Sequence, residues 1–252
     1  MESFMKVFFH PDFYEVYTHD PAASAGRMES IVESIAPHVD ICSFSPATKA
    51  DLLAVHPEPH IEEIRGDGLY DIAALAAGGA IAAAKSGMEE PCFALIRPPG
   101  HHASTDSCWG FCFFNNMAVS LQWLRSQNLI QSAFVLDFDL HYGDGNVNIL
   151  GGNPWVEILN PQSHRRSAYL NEVQHTLDQT QADVIAVSAG FDHHVQDWGG
   201  LLTTEDYRTM GTWVRQAAQR NKGGCYGILE GGYNHDVLGQ NVLAFINGLE
   251  NT

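Results

Sequence analysis

The chain has 252 residues, 45% hydrophobic and 17% charged, which is enough apolar material for a sizeable core and argues against global disorder. Its formal net charge of −17 leaves no basic surface to neutralise a run of phosphates, which argues against nucleic acid as a partner. No run of about 18 apolar residues could span a bilayer. The five cysteines, odd in number and with only Cys108 and Cys112 closely spaced, form neither a disulfide framework nor a complete cysteine zinc site.

The N-terminal MESFMKVFFHPDF is broken by His10, Pro11 and Asp12 too early for a signal peptide, so a reducing cytoplasm is expected. Within it KVFF (6–9) reads as a strand, and DICSF (40–44) as the next. An alanine-rich helix is predicted over 70–85, with Gly78 and Gly79 allowing a close approach. CFALIR (92–97) is a third strand. The helix NNMAVSLQWLRSQ (115–127) carries Met117, Leu121 and Leu124 on one face behind an Asn115 or Asn116 cap. AFVLDFD (133–139), WVEIL (155–159) and DVIAVSAG (183–190) follow as strands. A helix over 203–220 starts at Thr203 or Thr204 and stops at Gly223-Gly224, and CYGILEG (225–231) is the last strand. The strand runs are apolar nearly throughout, as strands covered on both faces are. The alternation predicts one α/β domain over residues 1–252, with three layers and a mostly parallel central sheet.

In such a sheet ligands bind beyond the carboxyl ends of the strands, and there the polar residues gather. His101 and His102 follow the third strand, Asp137, Asp139, His141 and Asp144 the fourth, Asp192 the sixth, and Tyr233 the seventh. Asp139 and His141, two apart on an extended backbone, would point the same way. With Asp192 they make three metal ligands and leave a fourth position open, as in a catalytic zinc site. Asp137, in an otherwise apolar run, suits an acceptor that orients a histidine, and Asp144 supplies a second. Beside a metal, a histidine of the 101–102 pair could move a proton from water to a leaving amine. Gly231 and Gly232 permit a sharp turn that brings the Tyr233 phenol to a developing oxyanion. A two-metal site would need carboxylates at positions 143 and 194, which hold Gly143 and His194.

RPPGHHA (97–103), GFCFFNN (110–116), VLDFDLHYGDG (135–145), SAGFD (188–192), GGLLTTEDY (199–207) and LEGGYN (229–234) resemble the histone deacetylase and acetylpolyamine amidohydrolase family. The resemblance implies the arginase/deacetylase fold and metal-dependent hydrolysis of an acylated amine: acyl-lysine, an acetylpolyamine or a small acylated amine. It implies zinc, or iron(II), on Asp139, His141 and Asp192. His102 would be general base and acid, His101 its electrostatic partner, and Asp137 and Asp144 the carboxylates behind them. Tyr233 would polarise the carbonyl. Gly110 and Phe111 would line the acyl tunnel, with Gly231 and Gly232 also toward substrate and Arg27 near the acetate exit. A potassium ion would sit on the Asp137, Asp139 and His141 segment, where the next strand offers Leu159 in place of a serine.

The chain departs from the family pattern at the rim. The stretch between WVEILN and DVIAVSAG is short, the region before residue 80 lacks a long loop with a substrate-gripping aspartate (only Asp67 is near), and Gly199 stands where a gatekeeping glutamate would select polyamines. These features predict an open, shallow site. A non-catalytic acyl-ligand-binding protein and a two-metal ureohydrolase are the alternative readings.

Overall fold

The computed structural model describes residues 4–250. The reading of the N-terminus as lacking a signal rests partly on residues 1–3, which lie outside that range. In chain order the elements are β1 (Met5–Phe8), α1 (Arg27–Ile35), β2 (Val39–Cys42), α2 (Lys49–Leu53), α3 (Glu58–Gly66), α4 (Tyr70–Gly87), β3 (Cys92–Ala94) and α5 (Asn116–Ser126). Then come β4 (Ala133–Asp137), α6 (Asp144–Leu150), β5 (Val156–Leu159), α7 (Arg166–Gln179), β6 (Val184–Ala189), α8 (Thr204–Asn221), β7 (Gly224–Leu229) and α9 (His235–Glu250).

The seven strands form one sheet in the order β2-β1-β3-β7-β6-β4-β5, with every neighbouring pair parallel. Its inner strands β3, β4, β6 and β7 are buried along their whole length, whereas β2 and β5 at the edges are partly open. Two helical layers cover it: α1 packs on α9, α9 on α8 and α8 on α7, while α4 packs on α5 with α3 beside it. Among the described residues no helix is long and apolar enough to cross a membrane.

Local chemistry explains the elements. Asn115 caps α5 by accepting from the Ala118 N–H. Thr203 and Asp206 cap α8 reciprocally. Gly78 and Gly79 let α4 lie on its neighbours, because a Cβ would come within 2.2 Å of the Ser45 carbonyl oxygen at the first and 2.6 Å of Ile96 at the second. The end of α8 differs from the expected glycine stop. The helix runs to Asn221, and Lys222 rather than a glycine takes the left-handed position, at φ 54°. β3 and β4 are also shorter than their apolar runs. Leu95, Ile96 and Phe138 are fully buried just beyond the strands, and the Leu95 and Phe138 N–H groups still donate to the Phe8 and Ser188 carbonyls, so burial carries the apolar signal past the regular strand.

The sheet order places the carboxyl ends of β3, β7, β6 and β4 side by side. In DFD (137–139) and GFD (190–192) the phenylalanine turns into the core. Phe138 and Phe191 pack edge-on at 5.7 Å, and both meet Phe245 and Tyr207. The flanking aspartates are thereby held at the sheet edge. Truncating either phenylalanine to alanine would cost about 3–5 kcal/mol.

Candidate active site

Asp139, His141 and Asp192 meet at the ends of β4 and β6, each offering one donor atom, all within 4.8 Å of one another. They do not meet as strand geometry predicts. Residues 138–141 have left the strand, and the His141 N–H donates to Asp139 Oδ1 at 2.9 Å. That tight turn, rather than an extended Asp-x-His, aims both side chains inward. His141 Nδ1 lies 3.2 Å from Asp139 Oδ1 and 3.0 Å from Asp192 Oδ2. Asp139 Oδ2 accepts from the Gly231 N–H at 2.8 Å, and Asp192 Oδ1 from the Leu140 N–H at 3.0 Å. A Cβ at Gly231 would stand 2.5 Å from Asp139 Oδ2, so only glycine permits this approach.

Two buried carboxylates facing each other need a cation. Burial and the neighbouring Asp139 charge push Asp192 up to about 7. Burial opposes ionisation of Asp139 as well, but the charge of His101 and the hydrogen bonds from His141 hold it well below the usual carboxylate range. Those same bonds to Asp139 and Asp192 push His141 up to about 10. Asp192 Oδ2 is buried and faces His141 Nδ1 at 3.0 Å. Two buried carboxylates converging with an imidazole nitrogen suit a divalent metal such as zinc or iron(II). Among the described residues this is the one group of such donors. The carboxylates a second metal would need are missing: a Cβ on Gly143 would lie 2.0 Å from Asp137 Oδ2, and position 194 holds His194, which contacts Thr204 and the Gln196 N–H.

The two histidines sit in a turn after β3. Adjacent side chains diverge on a strand, but here the rings lie together, with centroids 4.0 Å apart. His101 Nδ1 faces Asp137 Oδ2 at 3.2 Å, and His102 Nδ1 faces Asp144 Oδ1 at 2.6 Å. Burial pulls His101 down, but Asp139, Asp137 and Glu230 outweigh it and its pKa stands well above the usual imidazole value. His102 is pulled down to about 4 by burial and the charge of His101. Their surroundings thus drive the two rings in opposite directions, His101 toward its charged form and His102 toward its neutral form.

Sequence reasoning assigned no role to Glu230. It is fully buried at the end of β7. Its Oε2 accepts from the Gly100 and His101 N–H groups at 2.7 and 3.2 Å, fixing the His-His turn, and its Oε1 accepts from Ser188 at 3.1 Å. Asn146 donates to Ser188 and to Asp137 Oδ2, closing the network. The signal was a lone glutamate in an apolar strand run. Burial pushes this carboxyl up to about 7.

Tyr233 follows Gly232, whose φ of 118° makes the turn. Burial, then the charges of Asp139 and Asp192, push the phenol well above its usual range, so it remains protonated. Arg27, fully buried on α1, donates to the carbonyls of Gly232 at 2.8 Å and Glu230 at 2.6 Å, which pins the backbone before Tyr233. Gly110 lies flat on His102, and Phe111 meets Tyr233 edge-on at 6.1 Å. Asp67 is exposed at the end of α3. Gly199 cannot carry a longer side chain without displacing His193, 2.5 Å from its would-be Cβ. Leu159 is half-buried on β5 and brings no side-chain oxygen. Two half-exposed tryptophans, Trp109 and Trp198, flank the mouth against His102 and Tyr233. A cavity of about 180 Å³ opens beside Asp139 between Tyr142, Asn160, His164 and His193, where the segment after β5 is short.

The family model described as "Histone deacetylase domain" matches residues 21–169 and 158–249. A probable deacetylase of Methanothermobacter thermautotrophicus is 27% identical, over 97% of this chain and 90% of that protein. A histone deacetylase-like amidohydrolase of Pseudomonas aeruginosa is 29% identical, over 85% and 74%. A probable deacetylase of Archaeoglobus fulgidus is 30% identical, over 89% and 77%. The crystal structure of the HDA15 HD domain superposes with a TM-score of 0.83 at 21% identity, covering 99% of this chain and 91% of that one, and so shares the fold. With the family model spanning nearly its whole length, the chain belongs to the histone deacetylase family.

Proposed function

We propose that the protein is a metal-dependent amidohydrolase that cleaves a linear amide of an acylated amine into a carboxylic acid and an amine. The observation that carries this reading is a buried neutral imidazole, His102, whose ring centroid lies 6.0 Å from that of His141 in the three-donor cluster. Asp139, His141 and Asp192 would hold a zinc or iron(II) ion, which would supply Lewis acidity at the scissile carbonyl.

The chain's own groups do the rest. His102 is neutral at working pH, so it takes a proton from the attacking water. Asp144 holds the other ring nitrogen and fixes the tautomer. Asp139 and Asp137 bias His101 toward its charged form, so it contributes field rather than basicity. The protonated phenol of Tyr233 donates to the oxygen on which charge develops. His102 then returns its proton to the departing nitrogen. The short rim and glycine at position 199 support a site open to acyl-lysine, acetylpolyamines and small acylated amines, without selection by an acidic gate.

The test is turnover of a panel of acylated lysine peptides, acetylpolyamines and small acylated amines by the metal-loaded protein, with amine and acid both quantified. Stoichiometric release of the two products is expected. Binding without release across the panel, with one metal bound, would make the protein an acyl-ligand-binding member of the family instead.

A further inference from the structure

Trp109 is half exposed, yet three features hold it in one place. Its indole Nε1–H donates to Asp144 Oδ2 at 2.8 Å. Its ring lies over the His102 imidazole, with centroids 3.9 Å apart and planes 33° from parallel. The backbone beyond it is wound back on His102 by two successive left-handed residues, Gly110 at φ 57° and Phe111 at φ 68°. A Cβ at position 110 would be 2.3 Å from His102 Cδ2. The turn is closed by the Cys112 N–H to the Trp109 carbonyl at 3.0 Å, and the His102 N–H meets Cys112 Sγ at 3.4 Å. A non-glycine residue with positive φ is a cost the local structure must override, and such residues cluster where geometry matters for function.

We propose that Trp109 is a positioning residue of the hydrolytic reaction, acting on His102 through Asp144. This rests on the amidohydrolase reading above. The Asp144 side chain is about a third exposed, and a carboxylate so placed rotates freely and shares its oxygens with water. Here one oxygen is taken by His102 Nδ1 and the other by the indole N–H. Both ends of the carboxylate are occupied and its plane is set. The imidazole is held with its proton on Nδ1 and Nε2 free to receive one. The indole face covers one side of the ring, with centroids 3.9 Å apart, and shields that side from water.

Two replacements separate the donor from the ring. Trp109→Phe keeps an aromatic face. Incorporation of the sulfur isostere β-(3-benzothienyl)alanine at position 109 removes only the N–H and preserves the shape if phenylalanine disturbs folding. For both, kcat should fall about tenfold, the scale of one hydrogen bond to a charged group, with KM within about twofold. In an Asp144→Asn background the Trp109→Phe change should add nothing further, because the two act as a unit. By NMR, the His102 Nδ1–H should exchange with water faster in both replacements than in the parent protein. An unchanged kcat together with unchanged exchange would overturn the proposal. So would a rise in KM alone, which would make Trp109 a wall that touches substrate, or full additivity with Asp144→Asn. Should the parent protein hydrolyse no acylated amine, the functional reading fails on its own, and the exchange comparison still decides whether Trp109 orders the His102–Asp144 pair.

Discussion

Trp198 lies flat against Tyr233, with ring centroids 4.0 Å apart and planes 23° from parallel, while the Arg27 guanidinium carbon stands 5.6 Å from the centre of the Tyr233 ring. The phenol is gripped by its ring and by the backbone behind it, and its hydroxyl donates to no protein group among the described residues. A donor so placed is free for substrate. Tyr233→Phe should therefore fold with unchanged thermal stability and lose about 10²–10³ in kcat, the scale of one oxyanion donor. Trp198→Ala should cost less, about tenfold or below, since an aromatic pair contributes about 0.5–1.5 kcal/mol. Near-parental turnover in Tyr233→Phe would mean that the hydroxyl does not face the carbonyl.

The proposed mechanism divides the labour of the histidine pair by charge. His102, held neutral with its pKa near 4, is able to accept a proton. His101, raised by Asp139 and Asp137, is not. His102→Ala should lower kcat more than His101→Ala, and both variants should keep their metal. Rates and metal content measured together settle it. A larger loss in His101→Ala reverses the roles, and loss of metal from either variant makes that histidine a ligand.

One divalent metal per chain is expected, because one donor cluster exists among the described residues and Gly143 leaves no space for a second carboxylate. Asp192→Ala removes one of the three converging donors and should bind less than a tenth of the parental metal. Elemental analysis after dialysis reads this directly. Two equivalents in the parent, or full retention in the variant, would contradict the arrangement.

Much of this was legible because strand and site share one signal. All seven strands overlap the apolar runs, and the segments that follow the runs at 92–97, 133–139, 183–190 and 225–231 deliver residues to the site. The helices were less legible: α2 and α6 span only five and seven residues, too short for a periodic face, although α1 carries Met28, Ile31 and Ile35 and α9 carries Leu238, Val242, Phe245 and Leu249 at helical spacing. Glu230 and Trp109 were hidden for another reason. Their roles come from what the fold places opposite them, the His101 backbone and the Asp144 carboxylate, and neither partner is near in sequence. The close approach of the His101 and His102 rings is not legible in the sequence, because it arises in a turn, where the strand rule for adjacent side chains does not hold.

His56 shows the same kind of hidden partner. It is 1% exposed, its Nδ1 lies 2.9 Å from the Thr105 carbonyl oxygen, and its Nε2 accepts the Asn115 N–H at 2.9 Å. The ring is thus a neutral peg joining the residues after α2 to the loop that carries Trp109, Gly110 and Phe111. Burial, opposed by the bond to Thr105, lowers its pKa from 6.5 to about 4. The unfolded chain therefore binds a proton at this ring between pH 6.5 and 4 that the folded chain refuses. Its contribution is fully present above pH 6.5 and is lost as pH falls toward 4, by about 3 kcal/mol at most and about 2 kcal/mol between pH 7 and pH 5. His56→Asn keeps a donor at the Nδ1 position but cannot titrate. Urea unfolding of both proteins at pH 7 and pH 5 should show the variant less stable at pH 7 yet losing about 2 kcal/mol less on acidification. Parallel losses in the two proteins would mean that His56 titrates alike folded and unfolded.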